Sequence, residues 1–187
     1  MDKKRQVFLS KFLSKHLRHT PEALNLVLQV GGWVSVDTLL HQATIAGVTF
    51  SLEELREVVE SNDKQRFAFD ETGLLIRANQ GHSTAVDLQL RPVEPPTALY
   101  HGTATRFVAS ILEQGLLPMQ RHHVHLSADI ETAHKVGIRH GNPVIFLIDT
   151  QAMRAQQIEF FQSDNGVWLT AKVLPTFLCL LTSSDRN

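Results

Sequence analysis

The chain is 187 residues long, with 43% hydrophobic and 20% charged residues and a formal net charge of −1. That length and balance suit one large or two small packed domains and exclude wholesale disorder. The near-neutral charge excludes a surface coated in basic residues for indiscriminate nucleic-acid binding, and no apolar run approaches the roughly 20 residues of a membrane helix.

Charge is unevenly placed along the chain. Lys3, Lys4, Arg5, Lys11, Lys15 and Arg18 put six of the eighteen Lys and Arg residues into the first twenty positions, against one acid, Asp2. A basic end of this kind is either a solvated helix face or an electrostatic footprint for a phosphate backbone. Val7, Phe8, Leu9, Phe12, Leu13, His16 and Leu17 recur at helical spacing, so an amphipathic helix is predicted to end near Arg18-His19, with Pro21 as its stop. Ser10, Lys11, Ser14 and Lys15 interrupt its apolar residues, which a signal peptide would not tolerate, so a cytoplasmic location is expected. Arg18 and His19 at a helix C-terminus are favoured by the dipole; two adjacent cations there also make a phosphate grip.

Leu24, Leu26 and Leu28 alternate up to Gly31-Gly32, and Trp33 to Val36 reads as a short extended piece. Asp37 is placed to cap a helix through Ala46 that turns Leu39, Leu40, Ala43 and Ile45 inward. Ser51-Leu52-Glu53-Glu54 is a capping-box pattern opening another helix, with Leu55, Val58 and Val59 on its apolar face. Arg66-Phe67-Ala68-Phe69 alternates, Asp70 to Gly73 turns, and Leu74 to Ala78 returns as a β-hairpin. Three helices and a terminal hairpin describe a winged-helix module, a fold that does not by itself establish nucleic-acid binding. Lys64 and Arg66 mark the start of its wing, where Arg66 reads equally as an edge-strand arginine. Gln80-Gly81-His82-Ser83 follows as a polar turn.

Pro92, Pro95 and Pro96 stiffen a connector, so the expected domains are residues 1–90 and 91–187. Beyond it, Leu99-Tyr100-His101-Gly102-Thr103 is read as a strand end whose glycine lets backbone approach a ligand, followed by a helix from Thr105 to Gln114 and a left-handed cap at Gly115. Such a strand, polar turn and helix is one way to present backbone N–H groups to a nucleotide, and equally an ordinary strand end. Val124 to Ser127 is a strand that delivers His125 and Ser127 to the same side. His122, His123 and His125 lack an accompanying Cys or carboxylate, so no metal site is expected. Asp129 is predicted to cap a helix to Val136 that Gly137 ends, and Arg139 falls in a donor-rich loop, a planar fork suited to an anion.

Val144 to Asp149 reads as a buried strand, Thr150 to Ala155 as a short helix, and Asp164-Asn165-Gly166 as a hairpin turn before Val167 to Thr170. The last predicted strand, Phe177 to Leu181, carries the single cysteine, Cys179, expected as a small buried hydrophobe. The second half is therefore mainly antiparallel, and the chain α+β. It lacks the Gly-x-Gly-x-x-Gly and following acid of a Rossmann fold.

In order, Leu13 to His19, Lys64 to Phe67, Ile76 to Ser83, Tyr100 to Thr103, Val124 to Ser127, Val136 to Gly141 and Asn165 to Thr170 resemble the motifs of the NAD-dependent RNA 2′-phosphotransferases, tRNA 2′-phosphotransferases among them. The match runs from about residue 8 to about residue 180. The resemblance implies an N-terminal winged-helix lobe that binds RNA. It joins that lobe to a C-terminal ADP-ribosyltransferase-like lobe, with the active site in the cleft between them. It implies removal of an internal RNA 2′-phosphate, such as RNA ligation in tRNA splicing or repair leaves. The phosphate attacks NAD+ and expels nicotinamide; the ADP-ribosylated RNA then gives repaired RNA and ADP-ribose 1″,2″-cyclic phosphate.

The family's essential set falls on Arg18, His19, Arg66 and Arg139. NAD contacts are implied for His101, Gly102, Thr103, His125 and Ser127, and Val167 stands where other transferases place a catalytic glutamate. The residue types agree with this chemistry: a phosphate dianion needs fixed cations, histidine titrates near neutrality, and an anionic nucleophile needs no general base. A monomer acting on RNA and NAD+, without metal or membrane, is the resulting expectation. Two other functions fit the residues less fully. One is an ADP-ribosyltransferase that modifies a terminal phosphate of RNA or DNA or a protein side chain; the other is a winged-helix nucleic-acid binder that senses NAD.

Overall fold

The computed structural model describes residues 1–61 and 64–181. It is mixed α and β, with three small antiparallel sheets, and divides into two compact units, Met1–Gln89 and Leu90–Asn187. No helix among the described residues is long and apolar enough to cross a membrane.

In the first unit, α1 (Lys3–Arg18) starts where the Asp2 carboxylate accepts the Arg5 N–H at 2.8 Å, and ends with His19 as its cap. Leu9, Leu13 and Leu17 recur every fourth residue and are fully buried, which is the stripe that holds this helix on the core. His16 is buried beside them; its Nδ1 donates to the Thr20 carbonyl at 3.2 Å, and burial pushes its imidazole below the ordinary histidine value. Arg5, one of the basic residues near the start, is engaged by Glu54, with Nε to Oε1 at 2.9 Å.

Strand β1 (Val34–Ser35) runs directly into α2 (Val36–Ile45), α3 (Leu52–Glu60) follows with its capping box complete, and β2 (Phe67–Phe69) and β3 (Leu75–Ala78) form the hairpin. The sheet order is β1-β3-β2. Leu24 closes a short 3₁₀ turn, Pro21–Leu24, and Leu24 and Leu26 are buried. Two expectations change here. Ser35, not Asp37, caps α2, because Ser35 is the last extended residue; its hydroxyl accepts the Thr38 N–H. Ile45 is 66% exposed, since it lies two residues and so about 200° around the helix from buried Ala43.

The second unit opens with β4 (Ala98–Ala104), a 3₁₀ turn (Thr105–Phe107) and α4 (Val108–Gln114). Then come β5 (Val124–Leu126), α5 (Ile130–Gly137), a 3₁₀ turn (Ile138–His140), β6 (Pro143–Asp149) and α6 (Thr150–Ala155). The hairpin β7 (Phe161–Gln162) and β8 (Trp168–Thr170) and the final β9 (Leu178–Leu180) complete it. Sheets β4-β6-β9 and β5-β8-β7 are joined by a bridge in which Tyr100 and Ser127 exchange backbone hydrogen bonds at 2.9 and 2.8 Å.

His101, Gly102 and Thr103 thus lie inside a seven-residue strand, not at its end. A Cβ on Gly102 would stand 1.6 Å from the Ala133 carbonyl oxygen, and one on Gly137 2.8 Å from that of Thr103. The two glycines let α5 lie directly on β4. Gly137 is the last residue of α5 and keeps helical φ and ψ; the chain continues through the 3₁₀ turn to Gly141 at φ +136°. Gly115 has positive φ but extended ψ, so it is no left-handed cap; its bare backbone instead faces the Val173 carbonyl, 2.1 Å from where a Cβ would be. Cys179 is exposed, against expectation. On edge strand β9, Leu178 and Leu180 pack against the core, and alternation turns the residue between them outward.

The Gly102–Ala133 contact makes a direct prediction. Gly102→Ala will destabilise the second unit by about 3 kcal/mol or more, because the clash is with backbone and not with a movable side chain, and thermal or urea denaturation measures it.

Candidate active site

The C-terminus of α1, the start of β2 and the segment after β3 meet in the first unit. The half-buried Arg18 donates from Nη2 to the Arg66 carbonyl at 3.2 Å, and its guanidinium lies 5.7 Å from the centre of the Phe67 ring. The Ser83 and Thr84 N–H groups donate to the Arg18 carbonyl at 2.9 and 3.3 Å, supplying partners that the last turn of a helix otherwise lacks. His19, exposed, is held by Ser83, with Nδ1 2.9 Å from Oγ. Arg18, His19 and Arg66 are thereby brought together by the polar segment that follows the hairpin.

Ser83 and Asn79 are the residues that sequence reasoning did not assign to the site. Asn79 continues the β2–β3 ladder one step past Phe67–Ala78: its N–H donates to the Arg66 carbonyl at 2.9 Å and its Nδ2 to the Gln65 carbonyl at 2.7 Å. Their signal was the density of hydrogen-bonding side chains from Asn79 to Ser83.

In the second unit, alternation along β4 turns His101 and Thr103 to the face opposite Gly102, and therefore away from α5. Thr103 is buried. His101 Nδ1 donates to the His125 carbonyl at 3.1 Å; because a carbonyl only accepts, the neutral ring carries its proton on Nδ1 and presents Nε2 as an acceptor. Burial pushes His101 below the ordinary histidine value, the His125 carbonyl partly opposes this, and the charge of His140 adds to the lowering. His125 is the mirror case: Arg121 donates to its Nδ1 at 3.0 Å, so its neutral ring carries the proton on Nε2.

Ser127 follows β5, and Val167 stands opposite it, one register step beyond the Leu126–Trp168 pair. Val167 is fixed through its carbonyl, which accepts the Ser163 N–H at 3.0 Å and hydroxyl at 3.1 Å. Arg139 sits on the 3₁₀ turn after α5, not in an open loop; it is exposed and makes no hydrogen bond or ion pair with any described residue. Among the described residues, no group of three or more His, Cys, Asp or Glu is arranged to hold a metal ion.

Two sets of groups result. The first unit offers cationic side chains set on a rigid backbone, suited to an anion with several oxygens. The second offers the Nε2 acceptor of His101 and the exposed guanidinium of Arg139, suited to a hydroxyl and a phosphate.

Residues 4–172 match the family model described as RNA 2′-phosphotransferase, Tpt1 / KptA family. A curated protein of Trichormus variabilis named "Probable RNA 2′-phosphotransferase" is 58% identical over 181 residues, 97% of this chain and 100% of that one. Proteins of the same name from Nostoc punctiforme and Hahella chejuensis are 56% and 55% identical, over 95% and 100% of this chain and 98% and 100% of theirs.

The imidazole of His101 provides a test of the local geometry. In a ¹⁵N histidine titration it will charge at a lower pH than an ordinary histidine, and its neutral form will carry the proton on Nδ1. A ring that charges near the ordinary value, or that carries its proton on Nε2, would contradict the hydrogen bond to the His125 carbonyl.

Proposed function

Because the chain belongs to the RNA 2′-phosphotransferase, Tpt1 / KptA family, we propose that it is an enzyme that removes a phosphate from the 2′ position of an internal RNA nucleotide, with NAD+ as the acceptor. In this reading residues 1–90 are a winged-helix lobe that binds RNA, and residues 91–187 an ADP-ribosyltransferase-like lobe that takes NAD+. The helices and the antiparallel β1-β3-β2 sheet support the first assignment. The observation that carries the function is the sharing of one backbone carbonyl by Arg18 and Arg66, with His19 anchored alongside on Ser83.

A 2′-phosphate is a dianion, and arginine forks match its oxygens in geometry and charge. Arg18 and Arg66 hold the phosphate in this reading, His19 moves a proton to or from it, and Arg139 stabilises the charge that develops on its equatorial oxygens. NAD+ supplies a ribose carbon whose bond to nicotinamide is ready to break, so no metal is assigned to the step.

The residues of the second unit fit that co-substrate. His101, Gly102, Thr103, His125, Ser127 and Val167 are its contacts in this reading. The acceptor Nε2 of His101 is the partner that a ribose hydroxyl needs. Gly102 contributes differently from the sequence expectation, since the space a side chain would fill is occupied by the Ala133 carbonyl. An apolar Val167 supplies no general base, and an anionic phosphate needs none. The protein acts as a cytoplasmic monomer in this reading.

The decisive assay incubates the protein with a short RNA bearing one internal 2′-phosphate, with and without NAD+, and identifies products by mass spectrometry. Loss of the phosphate only with NAD+, accompanied by nicotinamide and ADP-ribose cyclic phosphate, is expected. ADP-ribose left on the RNA would identify a transferase of the other type, and no change would remove the proposal. Arg18→Ala and Arg139→Ala will each lower the rate by about 10²–10³-fold, the cost of removing a preorganised donor, with the thermal midpoint little moved.

A further inference from the structure

We propose that Asn79 is a positioning residue that sets Arg18 and Arg66 in register for the 2′-phosphate; this rests on the phosphotransferase reading above. Asn79 is 7% exposed and touches no solvent through its carboxamide oxygen, so it is not itself a substrate contact. It instead binds two consecutive carbonyls, that of Gln65 through Nδ2 and that of Arg66 through its backbone N–H.

The place matters. Gln65 has a φ of +41°, a backbone conformation that a non-glycine residue adopts only when its surroundings hold it there. Arg66 follows immediately, between that bend and the first residue of β2. The direction from which the Arg66 side chain leaves the backbone is therefore set by the peptide that the Asn79 carboxamide grips. The same Arg66 carbonyl receives the Arg18 guanidinium at 3.2 Å. Moving that carbonyl moves both arginines.

The orientation of the amide is chemically determined. Turned over, Oδ1 would face the Gln65 carbonyl, oxygen against oxygen. As placed, Oδ1 is buried without a hydrogen-bond partner among the described residues. The fold thus accepts an unsatisfied acceptor to keep the donor on Gln65, a cost of about 1–3 kcal/mol that packing alone would not select. An apolar residue of similar size would fill the space without that cost, but would leave the bend and both arginines unfixed.

The test compares the full-length chain with Asn79→Ala, and with Asn79→Ser as a shorter but polar second variant. Each is given an RNA bearing one internal 2′-phosphate and the same RNA without it. The unaltered protein is expected to prefer the phosphorylated RNA. Asn79→Ala is expected to lose that preference and to slow single-turnover phosphate removal by about 10²-fold, the scale of an ångström of misplacement, while keeping its affinity for the unphosphorylated RNA and its thermal transition. In a background lacking both arginines, Arg18→Ala with Arg66→Ala, adding Asn79→Ala is expected to lower affinity for the phosphorylated RNA no further, because both residues it positions are gone.

Three results would overturn the proposal: a variant that keeps both preference and rate, equal loss of affinity for the two RNAs, or loss of the thermal transition in both variants. The last two would mean that Asn79 supports the fold generally. An unaltered protein that does not distinguish the two RNAs would sink the phosphotransferase reading itself, and this inference with it.

Discussion

The Arg66 carbonyl oxygen accepts a hydrogen bond from the backbone of Asn79 and another from the guanidinium of Arg18, and the arrangement of the first unit's candidate site follows from that oxygen. A carbonyl has two lone pairs, so one atom can end a strand ladder and seat a cation together. Arginines 48 positions apart are aligned in this way without any contact between their own side chains being needed. The same economy recurs at the Arg18 carbonyl, which caps α1 through Ser83 while Ser83 holds His19.

In the second unit the governing constraint is steric. α5 approaches β4 so closely that Ala133 and Thr103 present carbonyls where side chains at Gly102 and Gly137 would stand. That approach sends His101 and Thr103 to the opposite face of β4. It also places the turn bearing Arg139 immediately after α5, where Arg139 and His140 are exposed. A glycine next to a candidate binding histidine thus serves helix packing, while the nearby candidates His101 and His125 each have a fixed tautomer. Those tautomers are set by a carbonyl on one ring and a guanidinium on the other.

Much of the local architecture was legible because it is encoded over a few residues. The leucine stripe of α1, the Ser51–Glu54 capping box, the Asp129 cap and the Asp164-Asn165-Gly166 turn are each decided by neighbours within one or two turns of chain. Errors fell where a distant partner intervened. Ser35 displaced Asp37 as a cap because pairing of β1 with β3 holds Ser35 extended. Cys179 faces outward because β9 turns Leu178 and Leu180 onto the core, and which of its two faces is covered is a fact about the packed sheet.

The sequence by itself determined the family, through motifs whose order and residue types serve one chemistry, and most helices and the hairpin turns, through periodicity and caps. It also singled out Arg18, His19, Arg66 and Arg139 as candidates. Only the tertiary structure decided how the first three of these are held, which face of β4 carries His101 and Thr103, and what Gly102 is for. Hydrogen-bond partners such as Arg18 and Arg66, and close contacts such as Gly102 with Ala133, join residues with no local signal for each other. Their geometry is a property of packed backbone, which exists only once the chain has folded.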